Sequence, residues 1–143
     1  MTIVGFGLNK INVERKAPVK GQVNISNNVS IKSVEETDLS VGSHKQEGVK
    51  FLFEFTSKYE PGIAEMIMAG EVLYMGEPKK NKELLSEWKK NRSVQKEIMT
   101  DVLNSILMRC NVEALLLARD INLPPPVQLP RVQEEQASSE YIG

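Results

Sequence analysis

The stretch Val49-Lys50-Phe51-Leu52-Phe53-Glu54-Phe55-Thr56-Ser57-Lys58-Tyr59 decides the fold. Val49, Phe51, Phe53, Phe55 and Tyr59 take the odd positions, with Lys50, Glu54 and Lys58 between them. Successive side chains of a strand point to opposite faces, so this is a strand with one apolar face. Glu60-Pro61-Gly62 follows, a turn with proline and glycine at its centre. Beyond the turn, Ile63, Ile67, Ala69 and Leu73 share one face, and Ala64, Met66, Met68, Val72 and Tyr74 share the other. A strand apolar on both sides calls for cover on both, once from its own domain and once from another surface.

Upstream of this pair the chain also reads as strand. Val4, Phe6 and Leu8 alternate, and Ile11 and Val13 continue in the opposite phase. The slip near Asn9-Lys10 predicts a bulge or bend. Ala17-Pro18-Val19-Lys20-Gly21 is a break. Val23, Ile25, Val29, Ile31 and Ser33 form a second alternating run, interrupted at Asn27-Asn28 by a turn or a bulge. Gly42 to Gly48 reads as a polar turn that contains His44.

Downstream the period changes. Leu84, Leu85 and Trp88 sit at helical spacing in the charged segment Lys79 to Asn91, a short amphipathic helix or loop. Ser93 is the expected N-cap of a long helix. Val94, Ile98, Val102, Ile106 and Leu107, with Met99, Leu103 and Cys110, form a broad stripe at a period of about 3.6 residues. A second stripe, Val112, Leu115, Leu116 and Ala118, begins after Asn111, where the helix either runs on or kinks. Leu123-Pro124-Pro125-Pro126 cannot continue a helix. Val127 to Val132 reads as extended, and the end, 133–143, as a polar disordered tail. There is no internal repeat.

Strands followed by a helix imply an α+β layer: a four-stranded antiparallel sheet with a long helix packed on one face, in a single domain over 1–132. So thin a domain leaves apolar surface over, which self-association commonly covers.

Composition narrows the function. The 143 residues carry a formal net charge of -1, one histidine and one cysteine. That charge gives no field to draw nucleic acid. A zinc site built on His or Cys lacks ligands, and no phosphate-binding glycine loop or HExxH motif is present. His44 in its polar turn is a poor catalytic base, and the adjacent Glu35 and Glu36 point to opposite faces of a strand. No catalytic residues, metal or cofactor are therefore expected. A lone cysteine fits a reducing compartment, no run of about 18 apolar residues offers a membrane span, and Met1 to Lys10 lacks the pattern of a secretory signal. The expectation from composition is a cytoplasmic, non-catalytic protein that inserts into no membrane.

The sequence resembles the SecB family of protein-export chaperones over roughly Phe6 to Val132. Phe6 to Pro18 is similar to the family's first strand, although no aromatic residue precedes the acid in Val13-Glu14-Arg15-Lys16-Ala17-Pro18. Val49 to Ser57 is similar to its second long strand, and Ala69-Gly70-Glu71-Val72-Leu73-Tyr74-Met75-Gly76 to the strand that leads into the helices. Leu103 to Asn122, with Leu123-Pro124-Pro125-Pro126-Val127, is similar to the long interface helix and its proline-marked exit. Two departures stand out. Lys79 to Arg92 is charged where the family pattern is richer in glycine and apolar residues, and the C-terminal tail has no basic or zinc-reading motif. Docking to the SecA motor is therefore not carried over.

The resemblance implies dimers through edge strands and helices, and tetramers as dimers of dimers. It also implies nucleotide-independent binding of unfolded or precursor polypeptides in apolar grooves, or service to one fixed partner as in toxin-antitoxin systems. Candidate partner-binding residues are Phe51, Phe53, Phe55, Met66, Met68, Tyr74, Leu84, Leu85 and Trp88. Candidate interface residues are Val102, Ile106, Met108 and Leu115. Methionine suits surfaces that accept varied partners, and tryptophan suits binding hot spots. The competing reading puts the aromatic and methionine stripes in the core and docks Leu84, Leu85 and Trp88 on their own domain. The same two readings apply to Leu123 to Leu129, as a ligand for another protein's groove or as a segment packed back on the sheet.

Overall fold

A computed structural model describes residues 2–42 and 44–130. The tail read at 133–143 lies outside the described residues, as does the side chain of His44. The elements are β1 (Thr2–Arg15), β2 (Asn24–Val41), β3 (His44–Glu60), β4 (Ala64–Met75), α1 (Pro78–Asn91) and α2 (Lys96–Asp120). The strands form one four-stranded sheet in the order β1-β4-β3-β2, and all pairings are antiparallel. Thus β2, β3 and β4 form a meander, and β1 is added at its far edge.

The alternation in β3 and β4 sets the layers. Paired residues share a face, so the register Val49↔Tyr74, Phe51↔Val72, Phe55↔Met68 and Ser57↔Met66 gathers the odd residues of β3 with the even residues of β4. Both helices cover this face, and its side chains are buried. The opposite face has no cover of its own among the described residues. Ile67, Ala69 and Leu73 are half-buried there, beside Lys50, which lies 3.8 Å from both Glu35 and Glu71. Leu73 leans over Gly5, whose missing side chain makes the room.

The turns follow local chemistry. Gly62 has φ 58° between β3 and β4, a left-handed conformation that glycine adopts without steric cost. Between β2 and β3 the chain reverses at Gly42, so β3 begins at His44, earlier than a polar turn reaching Gly48 would allow. The slip expected near Asn9-Lys10 is present as a register shift between Leu8 and Lys10. Asn27-Asn28 neither turns nor bulges; it pairs with Ser57 and Thr56, and the irregularity of β2 lies between Ile31 and Ser33.

Pro78 opens α1, where its missing N–H costs nothing. Arg92 closes it in a left-handed conformation, its N–H donating to the Trp88 carbonyl at 2.8 Å. α2 is one unbroken helix of 25 residues. Ser93 does not cap it: the capping residue is Gln95, which makes no side-chain bond, and the Ser93 hydroxyl donates to Glu87 Oε1 instead. Ile98, Val102, Ile106, Cys110, Ala114 and Ala118 face the sheet. Their regular spacing of four keeps one row on the core, and the small residues of its C-terminal half let the helix approach a face filled with aromatic rings.

Candidate polypeptide-binding surface

The structure divides the sequence candidates by the face they occupy. Phe51, Phe53, Phe55, Met66, Met68 and Tyr74 lie beneath the helices, the most open of them Tyr74 at 4%. They form the core rather than an open groove, because the helices cover the face they share. Val102 and Ile106 are likewise buried against the sheet and cannot meet a partner while α2 is seated. Leu84 and Trp88 dock α1 onto its own domain, and Leu85 is half-buried beside them. Arg92 stacks its guanidinium 5.6 Å from the Trp88 ring centroid, which roofs the indole.

Met108 and Leu115 fall on the other side of α2. Met108 is 72% exposed and Leu115 half-buried, in line with Val112 at 57% and Leu116 at 41%. Val112, Leu115 and Leu116 belong to the second apolar stripe of the sequence, but Ala118 of that stripe faces the sheet, and Met108 belongs to neither stripe.

A second apolar strip borders it. The β1–β4 register puts Phe6, Leu8, Ile11 and Val13 on the helix-covered face, opposite Val72, Gly70, Met68 and Met66. As the edge strand, β1 is only partly roofed: Ile11 is 46% exposed. Phe6 stacks on Phe53 with centroids 5.4 Å apart. Two strand spacings of about 4.8 Å separate β1 from β3, so the rings meet across β4. They do so next to Gly70, which pairs with both Leu8 and Phe53 and has no side chain to intervene. Above the same ring, the Arg109 guanidinium of α2 lies 4.9 Å from the Phe6 centroid. Sequence reading recognised Phe6 and Leu8 as strand residues but did not place them at this border, because strand order is not visible in alternation.

The C-terminal segment closes the far end. Tyr59 donates from its hydroxyl to the Pro124 carbonyl at 2.6 Å, and Asn27 Nδ2 donates to the Pro126 carbonyl at 2.8 Å. Leu123 is buried, so the segment packs back on its own sheet through residue 126. Residues 124–130 line an open groove with Ile25, and Leu129 in it is 52% exposed.

The chemistry available here is burial and hydrogen bonding. Burial pushes the Cys110 thiol up to about 11 and the Tyr59 hydroxyl up to about 12. Burial also raises Tyr74, with a further push from the Asp101 carboxylate. Hydrogen bonds from Asn91 and Ser93 hold the exposed Glu87 below the usual carboxylate range. Among the described residues no His, Cys, Asp and Glu cluster could hold a metal ion, and no helix is long and apolar enough to cross a membrane.

No family model matches the chain, and no curated protein matches it in sequence. Among solved structures, it is similar to the SecB-like chaperone Rv1957 of Mycobacterium tuberculosis, solved in complex with a ChAD peptide from the Rv1956 HigA1 antitoxin. The TM-score is 0.50 at 11% sequence identity, over 93% of this chain and 91% of that chain. The order of strands and helices, the helix-covered sheet face and this structural likeness together identify the fold as SecB-like.

Proposed function

We propose that this protein is an ATP-independent holding chaperone of the cytoplasm, which binds unfolded or precursor polypeptides on apolar surface and performs no catalysis. The observation that carries the reading is the outward stripe Met108, Val112, Leu115 and Leu116 beside the half-roofed strip of β1, on a SecB-like fold. Monomeric proteins seldom leave contiguous apolar surface open without a use for it. A client that covers it gains roughly 25 cal/mol per Å² of apolar area, whatever its sequence. Flexible Met108 adapts to varied side chains. Among the described residues, no further strand pairs with the outer edges of β1 and β2, which can take up an extended chain or a second copy. Part of the α2 stripe serves self-association into dimers or tetramers, and the remainder serves clients. Passive burial needs no nucleotide.

The experiment is suppression of aggregation of several unrelated unfolded clients, at equimolar protein and without nucleotide. The reading expects suppression of most of them and is abandoned if none is protected. A second reading is a dedicated adaptor of the same fold with one fixed partner. What favours it is the antitoxin peptide bound to the similar SecB-like chaperone. Pull-down that returns one stoichiometric partner, with no general suppression of aggregation, selects the adaptor.

A further inference from the structure

α1 is attached to the domain by few side chains. Of its 14 residues, Asn81, Leu84 and Trp88 are the buried ones. Its outer face is charged and wet, and Lys89 and Lys90 close its last turn. It lies on β2 and β3, where Asn81 Nδ2 donates to the Glu47 and Gly76 carbonyls at 3.4 and 3.2 Å. The Asn81 Oδ1 is buried there with no hydrogen-bond partner, which opposes docking. Between α1 and the start of α2 the structure leaves a cleft of about 580 Å³, bordered by Leu84, Val94 and Ile98. The two helices are thus side by side on the sheet without interlocking. Gly76-Glu77 at one end and Arg92-Ser93-Val94-Gln95 at the other tie α1 to the domain as a strap.

From this arrangement we infer that α1 is a displaceable cover, and that the sheet surface beneath Leu84 and Trp88 is an apolar docking surface which a bound polypeptide shares with α1 in alternation. The inference rests on the holding function proposed above. The present occupant shows what fits: a leucine and a large aromatic side chain brought close together, here by helical spacing of four. A client segment that presents a leucine near an aromatic residue replaces them one for one. α1 then swings out on its linkers, its charged face already suited to water. Binding competence is set by the fraction of molecules with α1 released, so loosening α1 tightens apparent affinity.

Trp88 is the single tryptophan of the chain and reports its own release. The test uses the full chain and a permanently unfolded, tryptophan-free polypeptide, reduced and carboxymethylated ribonuclease A, carrying a label for anisotropy. Binding is expected to shift Trp88 emission to the red, and Leu84→Ala is expected to tighten binding by about threefold to tenfold. A merely structural role for Leu84 predicts the opposite, weaker binding. Should Leu84→Ala loosen the whole domain, hydrogen exchange of residues 78–91 in the unaltered protein decides. Faster exchange on binding supports displacement, and slower or unchanged exchange overturns it. Binding with unmoved Trp88 emission and no tightening overturns the strap while leaving the holding function intact. Absence of any binding overturns both.

Discussion

The Tyr59 hydroxyl donates a 2.6 Å hydrogen bond to the carbonyl of Pro124, 65 positions along the chain. The bond ties the end of β3 to the segment that leaves α2, and so fixes where the helix ends on the sheet. Tyr59→Phe keeps the ring and leaves the partly buried carbonyl without its donor. It is expected to lower stability by about 1–2 kcal/mol, measured by urea denaturation, and to speed proteolysis around residues 124–130 relative to the rest of the chain.

Gly70 of β4 packs directly against the backbone of β1 at Gly7 and Leu8. A Cβ there would overlap the Gly7 carbonyl oxygen, which is backbone and cannot yield. The same empty position lets Phe6 reach Phe53 across β4. Gly70→Ala is expected to cost about 3 kcal/mol or more through overpacking. Gly7→Ala, in open space, is expected to stay within about 1 kcal/mol. Equal melting temperatures for the two variants would refute the close approach.

Alkaline pH is expected to weaken the fold. Burial raises Cys110 from 9.0 to about 11 and Tyr59 from 10.0 to about 12. Both groups are neutral when protonated, so the folded state keeps protons that the unfolded chain has already lost. Stability is therefore full below about pH 9 and falls as the pH rises through 9 to 11 for Cys110 and 10 to 12 for Tyr59. Denaturation midpoints from pH 7 to pH 11 test this, and Cys110→Ala should flatten the first part of the decline. The native thiol should also react with a disulfide reagent far more slowly than the unfolded chain.

The outward stripe of α2 separates assembly from folding. Val112→Asp changes a side chain that is 57% exposed. It is expected to shift stability of the isolated chain by no more than about 0.5 kcal/mol, yet to lower the sedimenting mass by analytical ultracentrifugation. Val102→Asp, beneath the helix, should instead unfold the chain. A mass unchanged by Val112→Asp would remove the stripe from the self-association surface.

Much of this architecture is legible in the sequence because one periodicity dominates each half. Odd-position aromatics in β3 and the register slip at Asn9-Lys10 both match the sheet as it stands. Other features depend on tertiary partners. Asn27 looks like a turn residue, yet its backbone pairs in the ladder and its amide is taken by Pro126. Ser93 looks like a cap, yet Glu87 claims its hydroxyl. β4 is apolar on both faces, so its pattern cannot tell which one the helices cover. That choice sends Met66, Met68 and Tyr74 to the core and leaves Ile67, Ala69 and Leu73 half-buried on the opposite face.

The most direct test of the holding function is the mass, by light scattering behind a sizing column, of the species formed when an unfolded client is diluted into the protein without nucleotide. The account predicts one soluble peak whose mass is the sum of the protein assembly and bound client, reproduced with unrelated clients. A protein peak that keeps its own mass while every client aggregates would contradict it.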